Sequence, residues 1–229
     1  MSLLRAEVLE DSEVNEMIPR IADVYIGAFK GEPWYEVSMC EDESSPKGCE
    51  SGFSPLEVGQ VCSHCNKTLT AAAYNQEDLK EHFRGVMDKR DTAWYVEEVE
   101  KGNKPMLALA AFAWAVDTST LVAEKYKDNK DAMKAFLERV LPGEGKFVYL
   151  DEIFADRTIR PTGNLRNFKQ AILGLADKLG NKKVMFRTIN ERLIRATQDN
   201  FSGGTKVYRA PEVPDRRAVV VVDLSKVNS

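Results

Sequence analysis

The sequence lacks any apolar run that approaches the ~20 residues needed to cross a bilayer. Its first residues, Met-Ser-Leu-Leu-Arg-Ala-Glu-Val, also lack the long apolar core of a secretory signal peptide. Both absences argue against a membrane-spanning or secreted protein. We therefore expect the chain to fold and work in the cytoplasm.

A large excess of charge of one sign is missing as well. Lys and Arg total 32, Asp and Glu total 36, and the formal net charge is −4. Nucleic-acid-binding domains usually carry a strongly basic face, so the composition gives no indication of a nucleic-acid partner. A chain of 229 residues can bury a sizeable core. We expect one domain over 1–229 that carries two insertions.

Cysteine is scarce and unevenly placed. All four cysteines lie within 26 residues, at Cys40, Cys49, Cys62 and Cys65. The surrounding segment, 37–70, is polar and could not build its own core. The C-x-x-C spacing lets two thiolates share one tetrahedral ion, and zinc binding would supply the missing cross-link. The sequence therefore predicts a structural zinc site in an insertion at 37–70.

Two other interpretations of the cysteines stay open. The four can be unrelated cytosolic thiols. Alternatively, Cys62 and Cys65 can form a redox pair, although no thioredoxin-like strand and helix surround them. His64 could also replace one cysteine as a ligand. Four protein ligands would leave no open position, so a zinc ion here would stabilise the insertion rather than catalyse a reaction.

Residues 147–180 predict a buried strand, a short loop and a helix. The strand at 147–154 is mostly apolar or aromatic and contains neither Pro nor Gly. Helical spacing follows from Leu165, and Gly180 ends the helix. The helix face comprises Leu165, Phe168, Ile172, Leu175 and Leu179. The beginning of such a helix offers unpaired N–H groups and a positive dipole end to an anion.

The remaining chain predicts alternating strands and helices. We expect strands at 3–9, 93–99, 106–116, 184–189, 205–209 and 218–224, and helices at 12–29, 74–90, 119–141 and 190–201. The turn at Gly102-Asn103 joins two of these strands in a hairpin. Pro19 predicts a kink or a fresh helix start. The helical segment 118–146 forms the second insertion, which either caps a binding site or stabilises the surface.

Two stretches carry a resemblance to a known family. Tyr149-Leu-Asp-Glu-Ile-Phe-Ala155, followed by Arg160-Pro-Thr-Gly163-Asn-Leu165, resembles the acetyl-CoA motif of the GNAT N-acyltransferase superfamily. The order of predicted elements also resembles that family along nearly the whole chain. The resemblance implies an α/β (α+β) fold. Its sheet would be mixed and mostly antiparallel, with a central parallel strand pair and flanking helices.

The family's cofactor is acetyl-CoA, whose pantetheine arm lies on the central strand and whose pyrophosphate binds the following loop. The resemblance therefore assigns cofactor contacts to Ile153, Phe154, Ala155, Arg160, Thr162, Gly163, Asn164 and Leu165. This chain departs from the motif at Leu165, where the family prefers Gly or Ala. Pro161 lacks an N–H donor, which removes one possible phosphate contact.

The resemblance further implies transfer of an acetyl group to an amine of a small molecule or a protein. Asp151 lies at the family's base position, and Glu152 is the second choice, expected on the opposite face of the strand. Either carboxylate can instead satisfy neighbouring polar groups, since a carboxylate on a buried strand needs a partner in any case. Trp34 and Tyr35 lie where the family walls its acceptor pocket, although Trp34 can also be a packing anchor.

One further departure concerns proton supply. Phe201 matches a family Phe, but the Tyr that usually protonates the thiolate is replaced by Ala196. Tyr208 is the nearest later phenol. Two functions follow from the sequence: an acetyl-CoA-dependent N-acetyltransferase with a structural zinc insertion, or a non-catalytic module of the same fold that binds CoA or a partner. Binding of CoA distinguishes most directly whether the cofactor site is intact.

Overall fold

The computed structural model describes residues 2–30, 36–39, 53–54, 56–62, 66–89, 91–126, 129–143, 145–156, 158–159, 167–210 and 217–227. The strands are β1 Ser2–Val8, β2 Ser38–Met39, β3 Phe53–Ser54, β4 Ala71–Ala72, β5 Thr92–Lys101, β6 Lys104–Val116, β7 Phe147–Ala155, β8 Lys183–Thr188, β9 Thr205–Tyr208 and β10 Ala218–Asp223. The helices are α1 Asp11–Lys30, α2 Gln76–Lys89, α3 Thr118–Lys125, α4 Lys130–Val140, α5 Phe168–Lys178 and α6 Glu191–Asn200.

Seven strands form one mixed sheet in the order β1-β5-β6-β7-β8-β10-β9. Within the described sheet, β7 and β8 pair in parallel and the other neighbours pair antiparallel. The helix between β7 and β8 supplies the crossover that a parallel pair needs. This sheet confirms the expected mixed, mostly antiparallel fold with a central parallel pair.

Helices cover both faces of the sheet. On one face, α5 and α6 pack over the central strands through residues such as Phe168, Ile172 and Ile194. On the other face, α1 and α2 bury Ile18, Ile21 and Phe83 against β5 and β6. The insertion helices α3 and α4 also lie on that second face. The sheet is therefore buried on both sides, which explains why its strands are nearly continuous in apolar residues.

The end of α5 follows the prediction from Gly180. Gly180 has a positive φ of 64°, which glycine adopts without a Cβ penalty. Its N–H donates to the Asp177 carbonyl, and the Asn181 N–H donates to the Ala176 carbonyl, both at 3.0 Å. These two bonds are the pattern of a Schellman cap. The cap directs the chain into β8.

The insertion at 118–146 differs from the single helix that the sequence predicted. It contains two helices, because the backbone leaves the helical conformation at Tyr126, where the ring is buried at 3% exposure. Asp117 caps the first helix by accepting from the Thr120 N–H at 2.9 Å. Burial of Leu137 and Phe147 in one cluster shows that the insertion covers the sheet rather than standing apart from it.

The first helix also differs from one prediction. It runs without interruption from Asp11 to Lys30 and contains Pro19 in its interior, so no fresh helix begins there. Proline at that position removes one backbone donor. The buried face of the helix nevertheless persists on both sides of Pro19, with Val14 before it and Ile21 after it. That continuous face keeps α1 packed along the sheet.

Among the described helices, none is both long and apolar enough to span a bilayer.

Candidate acyltransferase site

A cavity of about 280 Å³ opens where β7 and β8 diverge. The two strands pair through Val148–Val184 and Tyr149–Met185. Beyond those pairs, residues 150–153 of β7 and 186–190 at the end of β8 line the cavity. The opening therefore lies at the carboxyl ends of a parallel strand pair, a place where open α/β sheets commonly bind ligands.

A β-bulge places both predicted carboxylates in this cavity. The register between β6 and β7 shifts so that Leu150 pairs with Ala113 and Glu152 pairs with Phe112, leaving Asp151 as the extra residue. Directly opposed residues of an antiparallel pair share a face. Glu152 therefore lies on the face of Phe112, beneath α1, instead of the opposite face expected from strict alternation. Asp151 and Glu152 both line the cavity.

Asp151 is matched by a lysine of the insertion. Lys125, the last residue of α3, donates from Nζ to Asp151 Oδ1 at 2.7 Å. The Asp151 side chain is only 7% exposed. A carboxylate this deeply buried requires such a partner. The contact connects the insertion directly to the central strand.

Glu152 has a different environment. It borders the cavity but is otherwise surrounded by protein, and this burial raises the pKa of Glu152 from 4.5 to about 7. The charges of Asp151 and Glu36 raise the pKa further, while Lys125 and Arg217 lower it. Loss of water from a carboxyl group favours its neutral form. Glu152 can therefore both accept and release a proton near neutral pH.

Two phenols and Glu36 form the wall on the α1 side of Glu152. The Tyr74 hydroxyl donates a short hydrogen bond to Glu36 Oε2. The rings of Tyr25 and Tyr74 meet edge-on, with centroids 5.2 Å apart. Burial is the main cause that raises the pKa of both tyrosines well above the usual value, so both phenols stay protonated at neutral pH. The phenols of this wall are therefore neutral, and Glu36 provides its carboxyl group.

The opposite wall carries two arginines. Arg187, near the end of β8, places its guanidinium carbon 4.6 Å from the centre of the Tyr126 ring. Its Nε donates to the Tyr149 hydroxyl at 3.5 Å. Arg217 immediately precedes β10 and also lines the cavity. The two guanidinium groups therefore line the cavity, while the buried rings of Tyr126 and Tyr149 hold Arg187 from the side of the core.

An apolar surface completes the cavity on the side of α5 and α6. Leu150, Phe186 and Leu193 line the cavity and belong to the core beneath these helices. Asn190 begins α6 by accepting at Oδ1 from the Arg192 N–H at 3.0 Å and the Leu193 N–H at 3.3 Å. The cavity thus has an apolar surface on one face of the sheet and charged walls on the other.

Several predicted cofactor residues can be located. Ile153 lines the cavity. Phe154 is buried beneath α1, 5.0 Å from the Tyr25 ring, and Ala155 packs on the α5 side. The predicted pyrophosphate residues Arg160, Thr162, Gly163, Asn164 and Leu165 lie outside the described residues, as do Trp34 and Tyr35. Their predicted contacts stay predictions.

The start of α5 has a buried carboxyl partner. Asn167, the residue before α5, donates from Nδ2 to Glu97 Oε2 at 2.8 Å. Glu97 lies on β5 and is 0% exposed. The amide therefore connects the beginning of α5 to the sheet, which holds the helix next to the predicted pyrophosphate loop.

Tyr208, the nearest phenol after Ala196 in the sequence, lies away from the cavity. Tyr208 packs its ring edge-on against Phe136 of the insertion, with centroids 6.0 Å apart. It belongs to the core between the sheet and the insertion helices. Tyr208 is a packed strand residue here, and its place does not suit proton supply in the cavity.

Cys62 is fully buried at the start of a tight turn. Its N–H donates to the Lys67 carbonyl, and its carbonyl accepts from the Asn66 N–H, both at 2.9 Å. Asn66 has a left-handed φ of 57°. Cys40, Cys49 and Cys65 lie outside the described residues, within which no group of three metal-ligating side chains occurs. The predicted zinc site therefore stays a prediction.

The sequence did not predict five charged or phenolic side chains among the described residues of the cavity: Tyr25, Glu36, Tyr74, Arg187 and Arg217. Arg187 offered one signal, since a charged residue ends an otherwise apolar strand, Val-Met-Phe-Arg-Thr. The other signals were weak. Tyr25 fits the apolar face of α1, and nothing in the local sequence connects Tyr74 with Glu36, 38 residues earlier.

Solved structures share this fold. A mosquito arylalkylamine N-acetyltransferase like 5b superposes with a TM-score of 0.52 at 13% identity, covering 96% of this chain and 99% of that one. An acetyltransferase from Corynebacterium glutamicum, described as histone acetyltransferase HPA2 and related acetyltransferase, gives 0.50 at 12%, covering 97% and 96%. The C-terminal condensation domain of Ebony in complex with beta-alanyl-dopamine gives 0.50 at 12%, covering 95% and 98%.

No family model and no curated protein matches the sequence. At 12–13% identity, the structural likeness concerns the fold. The part of the chain that the structure describes shares its fold, a mixed sheet with one parallel strand pair and helices on both faces, with these three solved structures.

Proposed function

We propose that the protein is an acetyl-CoA-dependent N-acetyltransferase that acetylates an amine of a small molecule or a protein. The observation that carries the proposal is Glu152, a carboxyl group with a pKa of about 7 in the cavity where β7 and β8 diverge. A general base works best when its pKa lies near the operating pH. The shared fold with N-acetyltransferases supports the same reaction class.

Acetyl-CoA would bind along the diverging strands. The apolar surface formed by Leu150, Phe186 and Leu193 suits a pantetheine arm. The pyrophosphate would bind the loop with Arg160, Thr162, Gly163, Asn164 and Leu165, which leads to the start of α5. Unpaired N–H groups at that helix end favour an anion. The charged walls on the other face would then receive the amine.

The proton balance of the reaction favours Glu152 over the tyrosines. The neutral amine attacks the thioester carbonyl, the C–N bond forms, the C–S bond breaks, and CoA leaves as a thiolate. Glu152 takes the proton lost by the amine nitrogen. A proton on Glu152, with a pKa of about 7, moves downhill to a thiolate whose thiol has a pKa of ~8.5. From Tyr25 or Tyr74 the same transfer would run uphill.

This route also accounts for Ala196. A single carboxyl group that receives the amine proton and passes it to the thiolate, directly or through water, makes a separate phenolic acid unnecessary. Asp151, the first choice from the sequence, is engaged with Lys125 and is the second choice for the base. We therefore assign the base to Glu152 and a charge-balancing role to Asp151.

Calorimetry with acetyl-CoA and a transfer assay over a broad set of amines test this function. We expect binding and acetyl transfer by the native chain. Gly163→Val should weaken acetyl-CoA binding, since a side chain would crowd the pyrophosphate, while leaving the melting temperature unchanged. Gly85→Val, on α2 with open space around its Cβ position, is a matched control. Binding without transfer to any amine would favour the non-catalytic module, and no binding would overturn the cofactor assignment.

We also propose one structural zinc ion, held by Cys40, Cys49, Cys62 and Cys65. The support is the burial of Cys62 and the backbone hydrogen bonds that Cys62 makes with Asn66 and Lys67, beyond the C-x-x-C. A zinc ion would bind the four cysteines as thiolates. Elemental analysis of the purified chain should give close to one zinc per chain. A folded protein without metal would contradict the site.

A further inference from the structure

The described residues of the acceptor half of the cavity have balanced charge. Among them, three carboxyl groups line the cavity, those of Glu36, Asp151 and Glu152, together with the guanidinium groups of Arg187 and Arg217. Lys125 adds a third cation at Asp151. A pocket for a polyamine would need a clear excess of negative charge, because each additional ammonium group must be compensated when it leaves water. These walls do not provide that excess.

The charged groups come from different elements of the cavity wall. Glu36 and Glu152 lie towards α1, with Tyr25 and Tyr74. Arg187 belongs to β8 and Arg217 precedes β10, on the other side of the opening. In the β8–β10 register Arg187 pairs with Val219, two residues after Arg217. Residues two apart on a strand share a face, so the two arginines are diagonal neighbours.

The arginines point away from the proposed CoA side. Arg187 contacts Tyr126 and Tyr149, which belong to the core beneath the insertion helices. That core lies on the opposite face of the sheet from α5. The contacts hold the Arg187 guanidinium at a fixed place, and a guanidinium with five N–H donors can keep a structural contact and bind a ligand at the same time.

We infer that the acceptor amine also carries a carboxylate, which Arg187 and Arg217 bind while Glu152 faces the amine. The inference rests on the proposed function, because it assigns the acceptor of the same site. Planar guanidinium groups match a carboxylate through paired N–H donors. A strand spacing of ~4.8 Å places β8 about 5 Å and β10 about 10 Å from β7, so acceptors of several chain lengths must be compared.

The test uses acceptors that differ only at the far end. ω-Amino acids of three to six carbons are compared with their primary amides and with diamines of the same length, so that this end is negative, neutral or positive. Binding to the CoA-saturated protein is measured by calorimetry, and acetyl transfer is measured separately. We expect the acid to bind at least tenfold more tightly than its amide, and the diamine to bind most weakly. 3-Aminopropylphosphonate tests whether a phosphonate replaces the carboxylate.

Arg217 provides the variant that connects this preference to a residue. Arg217→Lys keeps the charge but loses the planar fork, and Arg217→Gln loses both. The ratio of acid to amide affinity should fall about threefold for the first and at least tenfold for the second. Arg192→Gln, an exposed position on α6 outside the cavity, should leave the ratio unchanged. Arg187→Lys repeats the test at the second guanidinium.

Each outcome separates the inference from the proposed function. Acid preference in binding without acetyl transfer would uphold a carboxylate site at Arg187 and Arg217 and would overturn the proposed function. Transfer to amides or diamines with no preference for acids would uphold the proposed function and overturn the inference. Absence of acid binding at 10 mM, a tenfold preference for the phosphonate, or an unchanged ratio in Arg217→Gln would each overturn it as well.

Discussion

The insertion side and the α1 side of the cavity give two adjacent carboxyl groups, Asp151 and Glu152, opposite electrostatic environments. On the insertion side, Lys125 lies 2.7 Å from Asp151. On the α1 side, Glu152 faces Tyr25, Tyr74 and a second carboxyl group, and burial raises the pKa of Glu152 to about 7. One step along a bulged strand therefore separates a charge matched by a cation from a group that titrates at neutral pH.

The difference indicates that position along the strand does not by itself decide which carboxyl group can serve as the proposed general base. Asp151 and Glu152 are the same functional group, and both line one cavity. The carboxyl group of Asp151 has a cation at hydrogen-bond distance, which balances its charge. A carboxyl group surrounded by phenols and another carboxyl group keeps its proton more readily. The four predictions below test this contrast.

The largest expected effect concerns turnover. Glu152→Gln keeps the shape but removes the base, and loss of a positioned general base typically costs ~10²–10⁴-fold in rate. Asp151→Asn should cost less than ~10-fold, because it removes a charge that Lys125 already balances. Rates at saturating acetyl-CoA measure both variants, with affinity for acetyl-CoA within a few-fold of native as the control. The reverse ranking would return the base to Asp151.

The second prediction concerns stability against pH. Burial raises the pKa of Glu152 from 4.5 to about 7, so the folded state holds this proton more tightly than the unfolded state. The native free energy of unfolding should therefore fall by up to about 3 kcal/mol as pH rises from 4.5 through 7. Glu152→Gln lacks that loss. It should melt about 5–10 °C above native at pH 8 and with little difference at pH 4.5.

The control for this measurement is Glu138→Gln on α4. Glu138 is 60% exposed and makes only a 4.0 Å pair with Lys134. Its substitution should leave the melting temperature nearly unchanged at both pH values. An equal gain in stability at pH 4.5 and pH 8 for Glu152→Gln would show that the effect is not the ionisation of this carboxyl group.

Local sequence patterns predicted the elements better than the site. Gly180 and Asn190 predicted the end of α5 and the start of α6, because helix caps are formed by residues adjacent to the helix end. The order of strands followed from apolar runs. The sequence did not predict the break at Tyr126, because the apolar residues of 118–141 keep helical spacing on both sides of it. At the break, the Tyr126 ring is buried in the tertiary core, a contact that local spacing does not reveal.

The different environments of Asp151 and Glu152 could not be predicted from the sequence, for a physical reason. The bulge depends on how β6 pairs with β7, which a period-two pattern in β7 alone cannot reveal. The cation at Asp151 comes from 26 residues earlier, through the folding of the insertion. Proximity in space, rather than residue type, decides which carboxyl group titrates near neutral pH.

The third prediction tests the phenolic wall. Tyr74→Phe removes the hydroxyl that donates to Glu36 and interacts with Tyr25. A hydrogen bond to a charged group contributes about 1.5–3 kcal/mol, so the variant should lose about 2 kcal/mol of stability in a urea titration. Tyr208→Phe, at a packed ring on β9, should lose less than about 0.5 kcal/mol. Equal losses of stability in Tyr74→Phe and Tyr208→Phe would show that the hydrogen bond from Tyr74 to Glu36 contributes no particular stability.

The smallest expected effect tests whether the insertion side of the cavity influences the pKa of Glu152 on the α1 side. Lys125 lowers the pKa of Glu152, and it also balances Asp151, whose charge raises that pKa. Lys125→Met removes the cation and leaves the Asp151 charge uncompensated, so both changes act in the same direction. The rising limb of the pH–rate profile, which we expect near 7 for the native chain, should move upward by roughly one pH unit. Lys134→Met, on the exposed face of α4, leaves the cavity untouched and should leave the limb in place. A limb that stays near 7 without Lys125 would mean that the insertion side does not set the proton affinity of the base.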